Sequence, residues 1–145
     1  MITSQGQPMG RFYVDVALAN YDDCVAVRQG TLAPEAVRRM TVSGMVDTGA
    51  TRLVLPEHVV EQLGLQRSDR VKVRYADGRT VERNMATSIH LTYAGRTSLM
   101  SAVVEPGRDS ALIGAIVLEE LDLIVDCTTQ TLVPRDPEHI IAEIE

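Results

Sequence analysis

The chain has 145 residues, a hydrophobic content of 45%, a net charge of −6 and a pI near 5.0. That length suits one domain with a core large enough to need no disulfide or metal. The acidic balance and the absence of any Lys or Arg run disfavour a phosphate-neutralising nucleic-acid surface. Aromatics are only 3% and Trp is absent, so the core is expected from Val, Leu, Ile, Ala and Met. Met1 to Gly10 contains no apolar signal segment, and no stretch is long and apolar enough to span a bilayer, so neither secretion nor a membrane role is expected. Cys24 and Cys127 lie far apart without metal-ligand spacing and read as two reduced thiols of a cytoplasmic protein.

In chain order, Phe12, Val14, Val16 and Leu18 alternate with Tyr13, Asp15, Ala17 and Ala19, which predicts a half-buried strand. Residues 20 to 39 are irregular, with a turn at Asn20-Tyr21-Asp22-Asp23 and a proline at Pro34, and are expected to form a long loop or hairpin. Met40 to Val46 is a second strand, with Met40, Val42 and Val46 on one face and Gly44 among them. It runs straight into Val46-Asp47-Thr48-Gly49-Ala50, a carboxylate set in a hydroxyl-glycine turn, where Gly49 is expected to take positive φ. Thr51 to Leu55 is another short apolar run. Pro56 then opens a helix through Leu63, and Gly64 ends it.

Val71, Val73 and Tyr75 alternate with Lys72 and Arg74 up to an Asp77-Gly78 hairpin turn. A long return strand, Thr80 to Tyr93, turns at Ala94-Gly95 into a strand from Thr97 to Val104. After a loop comes Leu112-Ile113-Gly114, two apolar residues and a glycine leading into a helix from Ala115 to Leu121. Leu123 to Asp126 and Thr131 to Pro134 close the core, about residues 10 to 134. The tail from 135 to 145 reads as a capped helical turn with Ile140, Ile141 and Ile144 on one side, expected to dock on the barrel or on a partner subunit. No repeat or linker divides the chain, so residues 1 to 145 form a single domain. The fold class is mainly β, a closed or nearly closed barrel with one or two short helices.

The chemistry centres on Asp47. One carboxylate cannot donate and accept a proton in the same step, whereas two in contact share one proton. The chain carries one such turn, so its counterpart must come from a second copy. His58, His90 and His139 share no metal-binding spacing, and no cofactor or metal is expected. No nucleophile-elbow pattern supports serine chemistry.

Val46 to Thr51, the segment from Leu53 to Gly64, and Leu112-Ile113-Gly114 with its helix together resemble the retropepsin-like aspartic proteases, the single-domain enzymes of retroviruses and of bacterial stand-alone proteins. The resemblance implies a closed barrel of the acid-protease type, a homodimer, and a peptide or protein substrate cleaved by water activated between two Asp47 carboxylates. It also assigns roles by position. Asp47, Thr48 and Gly49 form the catalytic turn, with Thr48 locking the two turns together. Ala50, Thr51 and Arg52 line the cleft, the hairpin tip at Asp77 and Gly78 is a flap over the peptide, and Ile113 and Gly114 belong to the substrate-binding surface. Arg52 departs from the viral pattern, in which acidic residues commonly follow the alanine, and implies other subsite electrostatics or an internal ion pair. Ala115 stands where many viral enzymes carry arginine. The rival expectation is a catalytically silent module of the same fold that dimerises or binds peptide.

Overall fold

The computed structural model describes residues 11–145. Strand β1 (Arg11–Asn20) is followed by helix α1 (Tyr21–Arg28), a 3-10 turn at Pro34–Ala36, and β2 (Arg39–Asp47). Then come β3 (Leu53–Pro56), α2 (Glu57–Gln62), β4 (Arg67–Arg74), β5 (Thr80–Tyr93), β6 (Arg96–Glu105), β7 (Ala111–Ile113) and α3 (Ala115–Leu121). A hairpin of β8 (Leu123–Asp126) and β9 (Thr131–Pro134) ends the ordered elements.

Six strands close on themselves in the order β1-β2-β7-β3-β6-β5, with β5 pairing back onto β1, and β4 hangs outside the ring on β5. Closure rests on β5, whose 14 residues serve three partners. Its first half carries β4 and its second half pairs with β1 from Ile89 to Thr92. The register against β6 slips between Ala86 and Ile89, and Ser88 takes φ 59° there. Such a bulge bends the strand and adds twist, so one strand can leave the β4 hairpin and still complete the barrel.

The interior is aliphatic, as the composition requires. Val46, Leu55, Leu63, Ile89, Leu91 and Leu121 are all fully buried. The alternation predicted for β1 and β2 holds, with Phe12, Val16, Leu18, Val42 and Val46 inward. Helix α2 follows Pro56, which caps it from outside, and Gly64 takes φ 62° just beyond its end.

Two expectations need correction. Among the described residues there are three α-helices, because residues 21 to 28 form α1 and not a loop. Asn20, read as a turn residue, is the buried N-cap of that helix, and its Oδ1 accepts from the Asp23 amide at 3.1 Å. Its Nδ2 donates to the Leu63 carbonyl at 2.9 Å, joining α1 to the end of α2. Asp23 in turn accepts from Arg38 three times, from the amide at 3.0 Å and from Nε and a terminal nitrogen at 2.9 Å each. The insertion is thus folded back and clamped by a bidentate ion pair that hydrophobic periodicity does not register.

The tail is the second correction. It contains no helix. The Asp136 carboxylate does accept from the Glu138 and His139 amides, as a capping residue would. Arg96 then takes the Asp136 and His139 carbonyls, and Asp122 takes the Ile141 amide, so the backbone is held by side chains in place of helical bonds. Ile140, Ile141 and Ile144 remain exposed and do not dock on their own barrel.

The Arg38 hydrogen bonds hold the Asp23 carboxyl below the ordinary carboxylate value despite the opposing effect of burial. A depressed folded value means the pair stabilises the fold above the unfolded carboxylate pKa and ceases to do so as pH falls through the folded value. Asp23→Asn should therefore cost about 1–2 kcal/mol at pH 7, the half-exposed Arg38 screening the pair toward the lower end. Urea unfolding from pH 7 to pH 3 should show a flatter acid limb for the variant than for the wild type. Parallel curves would show that the pair contributes nothing.

Candidate active site

Asp47 is the last residue of β2, and β1 places Arg11 directly opposite it. The strand end fixes where the carboxylate sits and the turn fixes how it points. The Gly49 amide donates to Asp47 Oδ1 at 2.9 Å, and the Ala50 amide donates to the Asp47 carbonyl at 3.1 Å. A carboxylate so held loses little rotamer freedom when a reacting group arrives. Its other oxygen, Oδ2, lies 3.5 Å from Arg11 Nε, and the side chain keeps 17% of its surface exposed.

Gly49 does not adopt positive φ, contrary to expectation. Its constraint is proximity: an added Cβ would sit 3.2 Å from Asp47 Oδ1, crowding the carboxylate it now serves as donor. Thr48 lies exposed at the tip, without a hydrogen-bond partner for its hydroxyl among the described residues.

The turn is anchored from behind by Ile113 and Gly114. β7 runs parallel to β2, pairing Val46 with Ile113. Gly114 then crosses the segment after Asp47 so closely that a Cβ there would meet the Arg52 carbonyl oxygen at 2.5 Å and the Thr51 carbonyl carbon at 2.7 Å. The first amides of α3 bond this same segment, Ala115 to the Ala50 carbonyl at 2.8 Å and Ile116 to the Thr51 carbonyl at 2.9 Å. These are amides that a helix start leaves unpaired, so here they hold the loop that carries the carboxylate. The backbone does this work, so the absence of an arginine at Ala115 leaves the link intact.

A cleft of about 690 Å³ opens beside Asp47. Gly49, Ala50, Thr51 and Arg52 line one side, and β4 lines the other from Val71 to Arg74, continuing through Tyr75 and Ala76. Asp77 and Gly78 form the hairpin tip beyond it and are not part of the lining, while Ile113 is buried against Gly44, where a Cβ would meet it at 2.8 Å. Arg52 has no carboxylate within ion-pair distance among the described residues, so an internal pair is not formed, and it lies between this cleft and a smaller hollow that it lines together with Glu120.

Tyr75, at the start of the hairpin turn, both bonds and packs. Its hydroxyl donates to Glu105 Oε2 at 2.7 Å and accepts from Arg83 Nε at 3.3 Å, while Arg79 stacks on its ring at 4.4 Å. Arg83 also pairs with Glu105 at 2.8 Å, tying the β4–β5 hairpin to the end of β6. Sequence reading did not single out Arg11, Glu105 or Arg108 in the lining. Arg11 was concealed because α1 and the insertion separate the two strands that place it against Asp47.

Residues 36–120, more than half of the chain, match the model of a family described as gag-polyprotein putative aspartyl protease. Among solved structures, the chain is similar to EIAV protease complexed with the inhibitor HBY-793, at 17% identity and a TM-score of 0.53, over 77% of this chain and 88% of the other. No curated protein matches the chain.

The backbone crossing at Gly114 admits no methyl group without displacing the Arg52 and Thr51 peptides. Gly114→Ala should cost about 3 kcal/mol. Gly78→Ala, with open space around it but φ 86°, should cost only about 1 kcal/mol. Urea midpoints of the two variants measure the difference, and equal midpoints would show that the crossing is not the constraint.

Proposed function

The chain belongs to the gag-polyprotein aspartyl protease family, and on that premise we propose that it is an endopeptidase assembled as a homodimer, with one active site on the two-fold axis. The observation that carries this reading is the Asp47 carboxylate: oriented by the Gly49 amide, partly exposed, on the wall of a 690 Å³ cleft, and unique in its turn motif within the chain. The likeness to EIAV protease supports the fold on which the reading depends.

In the proposed dimer the two Asp47 side chains face each other and share one proton, because like charges in contact cannot both remain ionised. The ionised member takes a proton from a bound water, which attacks the scissile carbonyl carbon. The protonated member donates a hydrogen bond to the carbonyl oxygen and stabilises the charge that develops there. The same shared proton then allows one carboxyl to protonate the departing amine as the tetrahedral intermediate collapses. Thr48, exposed at the turn tip of the single chain, would bond across the axis and hold the two turns in register. The β4–β5 hairpin would cover the peptide, with the Tyr75–Glu105–Arg83 contacts near its tip tethering it to β6 in the closed position, so that opening would have to release them.

A composite site makes a quantitative prediction. Asp47→Asn alone should abolish peptide hydrolysis without unfolding the chain. Mixed with an equal amount of wild-type chain under subunit exchange, it should leave about a quarter of the all-wild-type activity, since only the doubly wild-type dimer has both carboxylates. Retention of about half, after exchange is verified by mass spectrometry, would place a complete site in each chain and overturn the reading.

A further inference from the structure

The cleft beside Asp47 has the opposite charge to the molecule that carries it. Arg11, Arg52, Lys72, Arg74 and Arg108 line it, against only two carboxylates, Asp47 and Glu105. Both carboxylates are already matched, Asp47 by Arg11 at 3.5 Å and Glu105 by Arg83 at 2.8 Å together with the Tyr75 hydroxyl at 2.7 Å. Arg52, Lys72, Arg74 and Arg108 have no carboxylate within ion-pair distance among the described residues. Four cations without an ion-pair partner among the described residues thus border one cleft on a chain whose net charge is −6, Arg52 and Arg108 on its walls and Lys72 and Arg74 at its rim.

Their placement is not that of a solvated surface scatter. Arg52 springs from a backbone clamped by Gly114 and by the Ile116 amide on the Thr51 carbonyl, so its origin is fixed five positions after Asp47. Arg108 is partly buried and held by a 2.9 Å bond from its Nε to the Ser110 carbonyl, which leaves its terminal nitrogens free to act as a fork. Lys72 and Arg74 lie on the more exposed face of β4, opposite the face of Val71 and Val73, with Lys72 across from Glu82 on β5, so they stand at the rim. Between these charges the walls are apolar, with Val54, Val103 and Leu112 among them. Low-dielectric walls focus the field of the cations into the cleft, and an arginine fork matches a carboxylate in two-point geometry.

We infer that the cleft selects acidic polypeptide segments, with Asp or Glu side chains flanking an apolar pair, and that Arg52 and Arg108 determine that specificity. This rests on the protease reading for its consequence, the cleavage of such segments, but the selectivity itself is a property of binding. A nucleic acid would be poorly served by the same site. The Tyr75 face is occupied by Arg79, no other aromatic lines the cleft, and the acidic remainder of the molecule repels a long polyanion.

The test uses the wild-type protein, since Asp47→Asn would itself free Arg11 in the cleft, and fluorescein-labelled peptide pairs whose apolar dipeptide carries an uncleavable hydroxyethylene link and which differ only in Glu or Gln on either side of it. Anisotropy titrations should give about tenfold tighter binding of the Glu peptide at low salt, as two partly exposed ion pairs supply. The gap should close in 0.5 M salt, where such pairs are screened. Adding Arg52→Gln and Arg108→Gln, with circular dichroism confirming the fold, should erase the preference, and Arg52→Glu should reverse it toward a Lys-flanked peptide. Equal affinity for the Glu and Gln peptides, no measurable binding of either, or displacement of the Glu peptide by a single-stranded oligonucleotide at comparable concentration would overturn the inference. Cleavage by the wild-type protein of the same sequences with an ordinary peptide link separates the two readings. Hydrolysis of Glu and Gln peptides with equal kcat/KM would leave the protease and remove the selectivity, whereas acidic selectivity in binding without hydrolysis of any peptide would do the reverse.

Discussion

The site depends on one close approach between two pieces of backbone. Gly114 passes the Thr51–Arg52 peptide at a distance that excludes even a methyl group, and the first two amides of α3 bond the carbonyls of Ala50 and Thr51 on the same segment. Everything that orients Asp47 follows from that crossing. Its strand is held by parallel pairing with β7, its turn is held by α3, and its oxygen is held by the Gly49 amide. Because the crossing is made by main-chain atoms, the side chains facing the cleft are free to vary without loosening the carboxylate. Arg52 and Ala115 depart from the viral pattern for this reason without consequence for the geometry.

The rest of the barrel brings β2 and β7 to that crossing and keeps them there. A six-strand ring leaves no free edge within itself, and the bulge in β5 lets a single strand both complete the ring and carry the β4 hairpin outward over the cleft. The hairpin is tied to β6 near its tip, where Tyr75 at the start of the turn meets Glu105 and Arg83, and only the two or three residues beyond it, through Gly78, project past that contact.

Charge is organised on the same plan. The two carboxylates that line the cleft are paired, Glu105 with Arg83 and Asp47 with Arg11, while Arg52, Lys72, Arg74 and Arg108 have no ion-pair partner among the described residues, and outside the cleft Asp23 pairs with Arg38. The Arg83–Glu105 pair ties the hairpin to β6, and the Asp23–Arg38 pair clamps α1 to the segment that enters β2. Ion pairs thus occur both in the insertion and on the cleft, where Arg11–Asp47 and Arg83–Glu105 leave the remaining lining cations without partners among the described residues.

Much of this was legible in the chain itself. The alternation of Phe12, Val14, Val16 and Leu18 and of Val42, Gly44 and Val46 locates strands because a pleated strand with one buried face must repeat every second residue. The Asp47 turn and the Leu112-Ile113-Gly114 element stand out because glycines with adjacent carboxylate or apolar runs are local signals. Helix α1 was not legible, since what makes it a helix is a cap on Asn20 and an ion pair from Asp23 to Arg38, fifteen positions on, not an apolar stripe. Nor was the tail, where Asp136 offers a helix cap but Arg96 captures the carbonyls that a helix would use. The sequence by itself determined the strands, the carboxylate and the turn that bears it, because those are encoded by neighbours. Only the tertiary structure decided what opposes them: Arg11 against Asp47, the Gly114 backbone against Arg52, and unpaired cations around the cleft. These contacts join residues tens of positions apart, and their distances exist only once the barrel has closed.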